Sequence, residues 1–89
     1  MKTFAQFLAL AAELSARLKP ESAVVPVRVW AEPEEGMDTG EIHVAPANRG
    51  VLNSDGYIMG VEEIVLFAKY HDLTVNTCSY ETGAGLRLS

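Results

Sequence analysis

The side chains in this sequence best able to do chemistry are few: its only tryptophan, Trp30, its only cysteine, Cys78, one of two histidines, His43, and Arg28, Tyr80 and Arg87. Trp30 and Tyr80 can stack on a planar ligand, and Arg28 and Arg87 can clamp a carboxylate or phosphate through paired N–H donors. His43 with Cys78 has the composition of a base and its nucleophile. Acyl transfer, however, also needs an enclosing pocket and oxyanion donors, and alternation along the chain puts these two residues on an open sheet face. No catalytic residue is therefore assigned, and the expectation is a protein that is not an enzyme.

A second constellation is purely acidic. Glu32, Glu34, Glu35, Asp38 and Glu41 fall within ten positions, at the tip of the first hairpin. Such a run is either a solvated turn or an acidic finger that docks on a basic surface of another protein, an association that charge complementarity would speed and salt would weaken.

Metal and phosphate sites find little support. Asn53, Asp55, Gly56 and Glu62 match positions 3, 5, 6 and 12 of a calcium loop, but Val51 stands where an aspartate must be and no helix enters the loop. An Asx-type turn accounts for Asn53 to Gly56 equally well. Arg49, Gly50, Gly56 and Gly60 precede a helix as a phosphate cradle would, yet with neither established spacing, and Glu62 and Glu63 occupy the helix start where an anion would sit. One cysteine and two distant histidines give no zinc spacing. No metal or cofactor is expected.

The elements that must position these residues follow from periodicity. Thr3 and Gln6 form a capping box at the start of a first helix. Phe4, Phe7, Leu8, Ala11, Leu14 and Leu18 make its apolar stripe, Glu13 and Arg17 pair on a polar side, and Pro20 ends it. From Ala23 to Ala31 the period becomes two, with Val25, Val27, Val29 and Ala31 on one face; Pro26 lacks a donor and marks an edge strand or a bulge. A partner strand runs from Glu41 to Ala45, with Ile42 and Val44 inward and His43 outward.

The segment from Pro46 to Gly60 is rich in glycine and asparagine, and Asp55-Gly56 is the signal of a short extra hairpin at 50–59. A second helix runs from Val61 to His71 with Glu62 and Glu63 in its first turn, where carboxylates complement the helix dipole. Val61, Ile64, Val65, Leu66, Phe67 and Ala68 cover more than half its circumference, so it is expected to be the more buried of the two helices, and His71 is expected to meet its last carbonyls. Leu73 to Tyr80 alternates again, and beyond Glu81-Thr82-Gly83 a last strand turns Leu86 and Leu88 inward and Arg87 outward.

The order αββαββ with short antiparallel connections predicts an α+β fold: two helices on one face of a four-stranded, mainly antiparallel sheet. At 89 residues the chain forms one domain, since a core of this size buries only about 60–65% of the unfolded surface and cannot be divided. The other sheet face then collects Arg28, Trp30, His43, Asn76, Cys78, Tyr80 and Arg87, as a solvated surface or as a contact surface, most simply one on which two copies pair.

Composition narrows the function. Hydrophobic residues at 48% and charged ones at 21% are those of a globular protein. A net charge of −5 repels polyanions, so direct nucleic-acid binding is disfavoured. A lone cysteine rules out an internal disulfide and points to a reducing cytoplasm. Lys2 followed by apolar Phe4 to Ala12, with Ala9-Leu10-Ala11, has some character of a signal peptide; Gln6 and Glu13 interrupt it, and no run reaches the roughly 20 apolar residues of a membrane span.

The reading is a small acidic interaction protein, monomer or homodimer, that occupies a basic surface of a partner through Glu34, Glu35, Asp38 and Glu41 with Trp30 and Tyr80 as anchors. By class it resembles the inhibitors and accessory proteins of phages and other mobile elements. The alternative is a binding module for an anionic small molecule or nucleotide, held by Arg28, Trp30, His43, Tyr80 and Arg87.

Overall fold

The computed structural model describes residues 1–18, 27–48 and 61–89. Helix α1 (Phe4–Arg17) opens on the predicted capping box: the Gln6 N–H donates to Thr3 Oγ1 at 3.2 Å and the Thr3 N–H to Gln6 Oε1 at 2.7 Å. Each side chain satisfies a backbone donor that the helix start leaves free. Phe7, Leu10, Ala11 and Leu14 form the buried stripe. Leu10 takes the place expected for Leu8, which is half exposed.

Strand β1 (Val27–Pro33) pairs antiparallel with β2 (Gly40–Pro46) from Val27–Pro46 to Pro33–Gly40. Their turn is closed by Glu34 N–H to Thr39 O at 3.0 Å and Met37 N–H to Glu34 O at 3.2 Å, with Gly36 at φ 80°, a value glycine adopts without steric cost. Helix α2 (Val61–Tyr70) carries Glu62 and Glu63 in its first turn. It ends in a Schellman motif: Leu73 N–H bonds Ala68 O at 2.7 Å, Asp72 N–H bonds Lys69 O at 3.3 Å, and Asp72 takes the left-handed φ of 57°. Strands β3 (Val75–Tyr80) and β4 (Gly83–Leu88) form the second hairpin.

The sheet order is β1-β2-β4-β3. The second strand of each hairpin lies at the centre, joined by Ile42–Leu88, His43–Arg87 and Val44–Leu86, and the first strands lie at the edges. The edge position expected for the first strand is thus observed, although Pro26, like the strand start at Ala23 and the helix stop at Pro20, lies outside the described residues. So do the extra hairpin at 50–59, the calcium-like residues Asn53, Asp55 and Gly56, and Arg49, Gly50 and Gly60.

Both helices cover one sheet face. Phe7, Leu10, Ala11 and Leu14 meet Ile64, Phe67 and Ala68 over Ile42, Val44 and Leu88, with Val27, Val29, Ala31, Val75 and Leu86 partly buried around them. This is the predicted α+β fold. The Arg17 guanidinium sits 5.7 Å from the centre of the Phe67 ring, bridging the helices on their outer side.

Two expectations for α2 are overturned. Only Ile64, Phe67 and Ala68 are buried; Val65 and Leu66 are 46% and 62% exposed, so α2 is no more buried than α1. A single sheet face accepts one stripe of a helix, and apolar residues outside that stripe face away however many there are. His71 does not cap the last carbonyls with its side chain; its ring packs against Phe67 and Tyr70 at 4.5 and 4.9 Å, while its own carbonyl accepts from Lys2 Nζ at 2.6 Å.

Leu14, fully buried between helix and sheet, should lose about 2–5 kcal/mol on Leu14→Ala. Leu66→Ala on the exposed side of α2 should stay within about 0.5 kcal/mol of the parent in urea denaturation. Equal costs at the two sites would contradict this packing.

Candidate functional site

Alternation along the strands sends Arg28, Trp30 and Glu32 of β1, Glu41 and His43 of β2, Arg87 of β4 and Asn76, Cys78 and Tyr80 of β3 to the face opposite the helices. Trp30, His43, Arg87 and Asn76 fall in one row across all four strands, and Glu32 sits opposite Glu41 in the next. The five residues expected to gather on this face, Arg28, Trp30, His43, Tyr80 and Arg87, do so.

They pack more closely than a solvated face requires. The Trp30 and His43 rings stack at 5.3 Å with an interplanar angle of 15°, the Arg28 guanidinium lies 4.8 Å from the centre of the Trp30 ring, and Tyr80 meets both rings edge-on at 5.6 Å. His43 is in consequence only 6% exposed. A solvated surface is thus not what surrounds His43: large neighbours on adjacent strands close over the shorter imidazole.

Polar contacts fix the ring. His43 Nδ1 lies 2.5 Å from the Tyr80 hydroxyl, and Nε2 lies 3.1 Å from Glu41 Oε1 and 3.8 Å from Glu32 Oε2. Carboxylates only accept, so Nε2 carries a proton and donates to Glu41; in the neutral ring Nδ1 accepts from Tyr80. Glu32 is held by the Trp30 Nε1–H, which donates to Oε2 at 2.8 Å. The second oxygen of Glu41 faces Arg87 Nε at 3.7 Å, and that nitrogen is buried without a hydrogen bond. Two carboxylates opposed across a strand pair repel; here an imidazole N–H, an indole N–H and a guanidinium offset that repulsion.

Tyr80 reaches His43 across β4, and glycine makes this possible. A Cβ on Gly85 would lie 2.7 and 2.9 Å from the Tyr80 ring carbons and would also collide with the Val44 carbonyl. Burial raises the Tyr80 hydroxyl above its ordinary pKa of 10.0, with further upward contributions from Cys78 beside it and from the negative charges of Glu32 and Glu41. Both ring nitrogens of His43 are engaged with Tyr80 and glutamate, so the suggested Cys78–His43 couple is not assembled.

The acidic residues share one end of the sheet. Glu34, Glu35 and Asp38 are exposed at the β1–β2 turn, and Glu32 and Glu41 extend the negative surface down the open face to Trp30. Glu34, Thr39, Glu41, Arg87, Lys2 and Asp72 line a groove at this end, where the Thr39 hydroxyl donates to the Lys2 carbonyl at 2.7 Å. Among the described residues no group of three or more His, Cys, Asp or Glu side chains is arranged to hold a metal ion, and no helix is long and apolar enough to cross a membrane.

The sequence pattern does not single out Glu32 as part of the ring contacts, nor Gly85 as the space for Tyr80. A signal exists for the second: a glycine inside an otherwise alternating strand marks close approach of another group. The chain is thus a small α+β protein with an aromatic, histidine-centred sheet face bordered by carboxylates. No known protein family matches its sequence, and no curated protein or solved structure matches it either.

Gly85→Ala should displace Tyr80 from His43 and lower stability by about 1–3 kcal/mol, the usual cost of overpacking; an unchanged denaturation midpoint would refute the crossing described. Tyr80 also imposes a pH dependence. The folded state keeps the phenol protonated where the unfolded chain loses that proton, so its contribution is complete below about pH 10 and declines as pH rises above it. The stability difference between the parent and Tyr80→Phe should therefore stay constant up to about pH 10 and shrink between about pH 10 and pH 12. A pH-independent difference would mean that the hydroxyl is not so held.

Proposed function

We propose that the protein is a non-enzymatic interaction protein that occupies a basic surface of a partner protein with the acidic end of its sheet. The observation that carries this reading is the continuity of the surface: Glu34, Glu35 and Asp38 at the tip run into Glu32 and Glu41, and Glu32 is tied to Trp30. Fixed, like-signed charges on one end raise encounter rates with an oppositely charged partner by about 10- to 1,000-fold and disfavour like-charged competitors. Trp30, half-buried on its imidazole neighbour, supplies a rigid aromatic edge beside those charges, the kind of side chain that anchors interfaces. Tyr80 contributes through its ring, its hydroxyl being turned to His43. An inhibitor or accessory protein that works by blocking is the simplest form of such an activity, and the half-buried thiol of Cys78, with no second cysteine in the chain, suits a reducing cytoplasm.

The rival reading, an anionic ligand or nucleotide held by Arg28, Trp30, His43, Tyr80 and Arg87, has less support. Glu32 and Glu41 stand within 4 Å of His43, and Arg87 faces Glu41. An anion placed there would meet two carboxylates.

The test is a variant with Glu34→Ser, Glu35→Ser and Asp38→Ser together. Protein captured from host lysate by the parent should have a basic surface, should be released as salt rises, and should bind the triple variant about 10-fold or more weakly at unchanged thermal stability. A partner that holds both proteins equally, or that ignores salt, would clear the acidic end of this role.

A further inference from the structure

A feature independent of the acidic end is the outer edge of β3. Thr74 and Ser89 exchange both backbone hydrogen bonds, at 2.8 and 3.0 Å. Along an antiparallel pair such doubly bonded positions recur every second residue, so Asn76, Cys78 and Tyr80, opposite Arg87, Gly85 and Gly83, also direct their N–H and C=O groups to β4. Val75, Thr77 and Ser79 then direct theirs away from the sheet. Among the described residues no strand pairs with that side.

The two edges of the sheet differ. β1 carries Arg28 and Glu32 and ends in Pro33, all devices that discourage a further strand. β3 reads Val-Asn-Thr-Cys-Ser-Tyr, with neither charge nor proline, and its Asn76, Thr77 and Ser79 side chains are exposed. An uncharged, regular edge is a template for another strand.

We infer that the outer edge of β3 pairs antiparallel with β3 of a second copy of this chain, about a two-fold axis at Thr77. The strand fits itself in this register. Thr77 meets Thr77 of the copy and Val75 meets Ser79, which matches every outward N–H and C=O of these three residues with a partner. Asn76 meets Cys78 on the open face, and no like charges are opposed. Threonine pairs across a strand interface are favourable in themselves. Charge selects the same edge, because the acidic turn belongs to the β1–β2 hairpin on the far side of the sheet. Two copies joined at β3 keep their acidic ends apart, and one eight-stranded sheet results. This differs from face-to-face pairing over Trp30 and Tyr80, where Glu32 and Glu41 of both copies would be brought together.

A single strand pair buries far less than a standard interface of about 1,600 Å², so association in the range of about 10 μM to 1 mM is expected. Sedimentation velocity of the full chain should show the 9.7 kDa protein shifting to twice that mass up to about 1 mM. Thr77→Lys, which opposes two ammonium groups at the axis while leaving the inner ladder intact, should weaken the dimer about tenfold or more with an unchanged far-ultraviolet circular dichroism spectrum. Register is read separately with Asn76→Cys. Directly opposed, non-hydrogen-bonded residues lie about 4.5 Å apart at Cα, within disulfide reach, so diamide should link the introduced thiol of one copy to Cys78 of the other, identified by peptide mapping. A parent that stays monomeric up to about 1 mM, a dimer indifferent to Thr77→Lys, or a cross-link of another register would each overturn the assignment. So would a monomer that instead takes up an extended peptide of another protein along β3.

Discussion

Three residue pairs between β2 and β4 hold the two halves of this protein together, and everything else rests on them. Ile42–Leu88 and Val44–Leu86 lie on the helix side, where Ile42, Val44 and Leu88 are sealed completely. His43–Arg87 lies between them on the other side. The same short ladder therefore centres the core beneath the helices and the polar cluster above it. Because side chains alternate with period two, a slip of one residue here would send His43 into the core and Val44 into the aromatic face, so burial on both sides specifies the register strongly.

Sandwiching a sheet between an apolar layer and a packed polar one has an energetic logic. An imidazole nearly removed from water must find partners for both nitrogens, and the chain supplies a phenol from β3 and a carboxylate from its own strand. Arg28 and Trp30 add an aromatic and cationic cover whose dispersion and cation–π terms grow as water is excluded. The resulting face is closed at His43 and progressively more open toward Glu32 and the turn, where exposure rises and charge accumulates.

Much of this is legible in the sequence. Period-two runs locate the four strands and assign their described residues to the two faces of the sheet, and the Thr3–Gln6 box locates the start of α1, because these are local rules whose partners lie within a few residues. Strand order is not legible: it depends on Val44 finding Leu86 rather than on any local pattern. The burial of α2 is overestimated from its composition because apolar content says how much surface a helix offers, whereas the sheet decides which stripe it accepts. In the site, alternation gathers Arg28, Trp30, His43, Tyr80 and Arg87 on one face, but it cannot show that Tyr80 crosses Gly85 or that Glu41 turns to His43, since both depend on side-chain reach between strands. That α2 ends in a left-handed aspartate at position 72, where glycine is usual, is likewise visible only from the backbone.

The placement of Trp30 has an optical consequence. It is the chain's only tryptophan, and it lies face to face with an imidazole, beneath a guanidinium, with its N–H on a carboxylate. Indole emission is sensitive to each of these neighbours, through quenching by stacked or charged groups and through the field along the ring. The intrinsic tryptophan fluorescence of the folded protein therefore originates at one address, the β1 side of its open face, and the protein carries there a built-in lamp whose colour and brightness report whether that face is assembled, covered or disturbed.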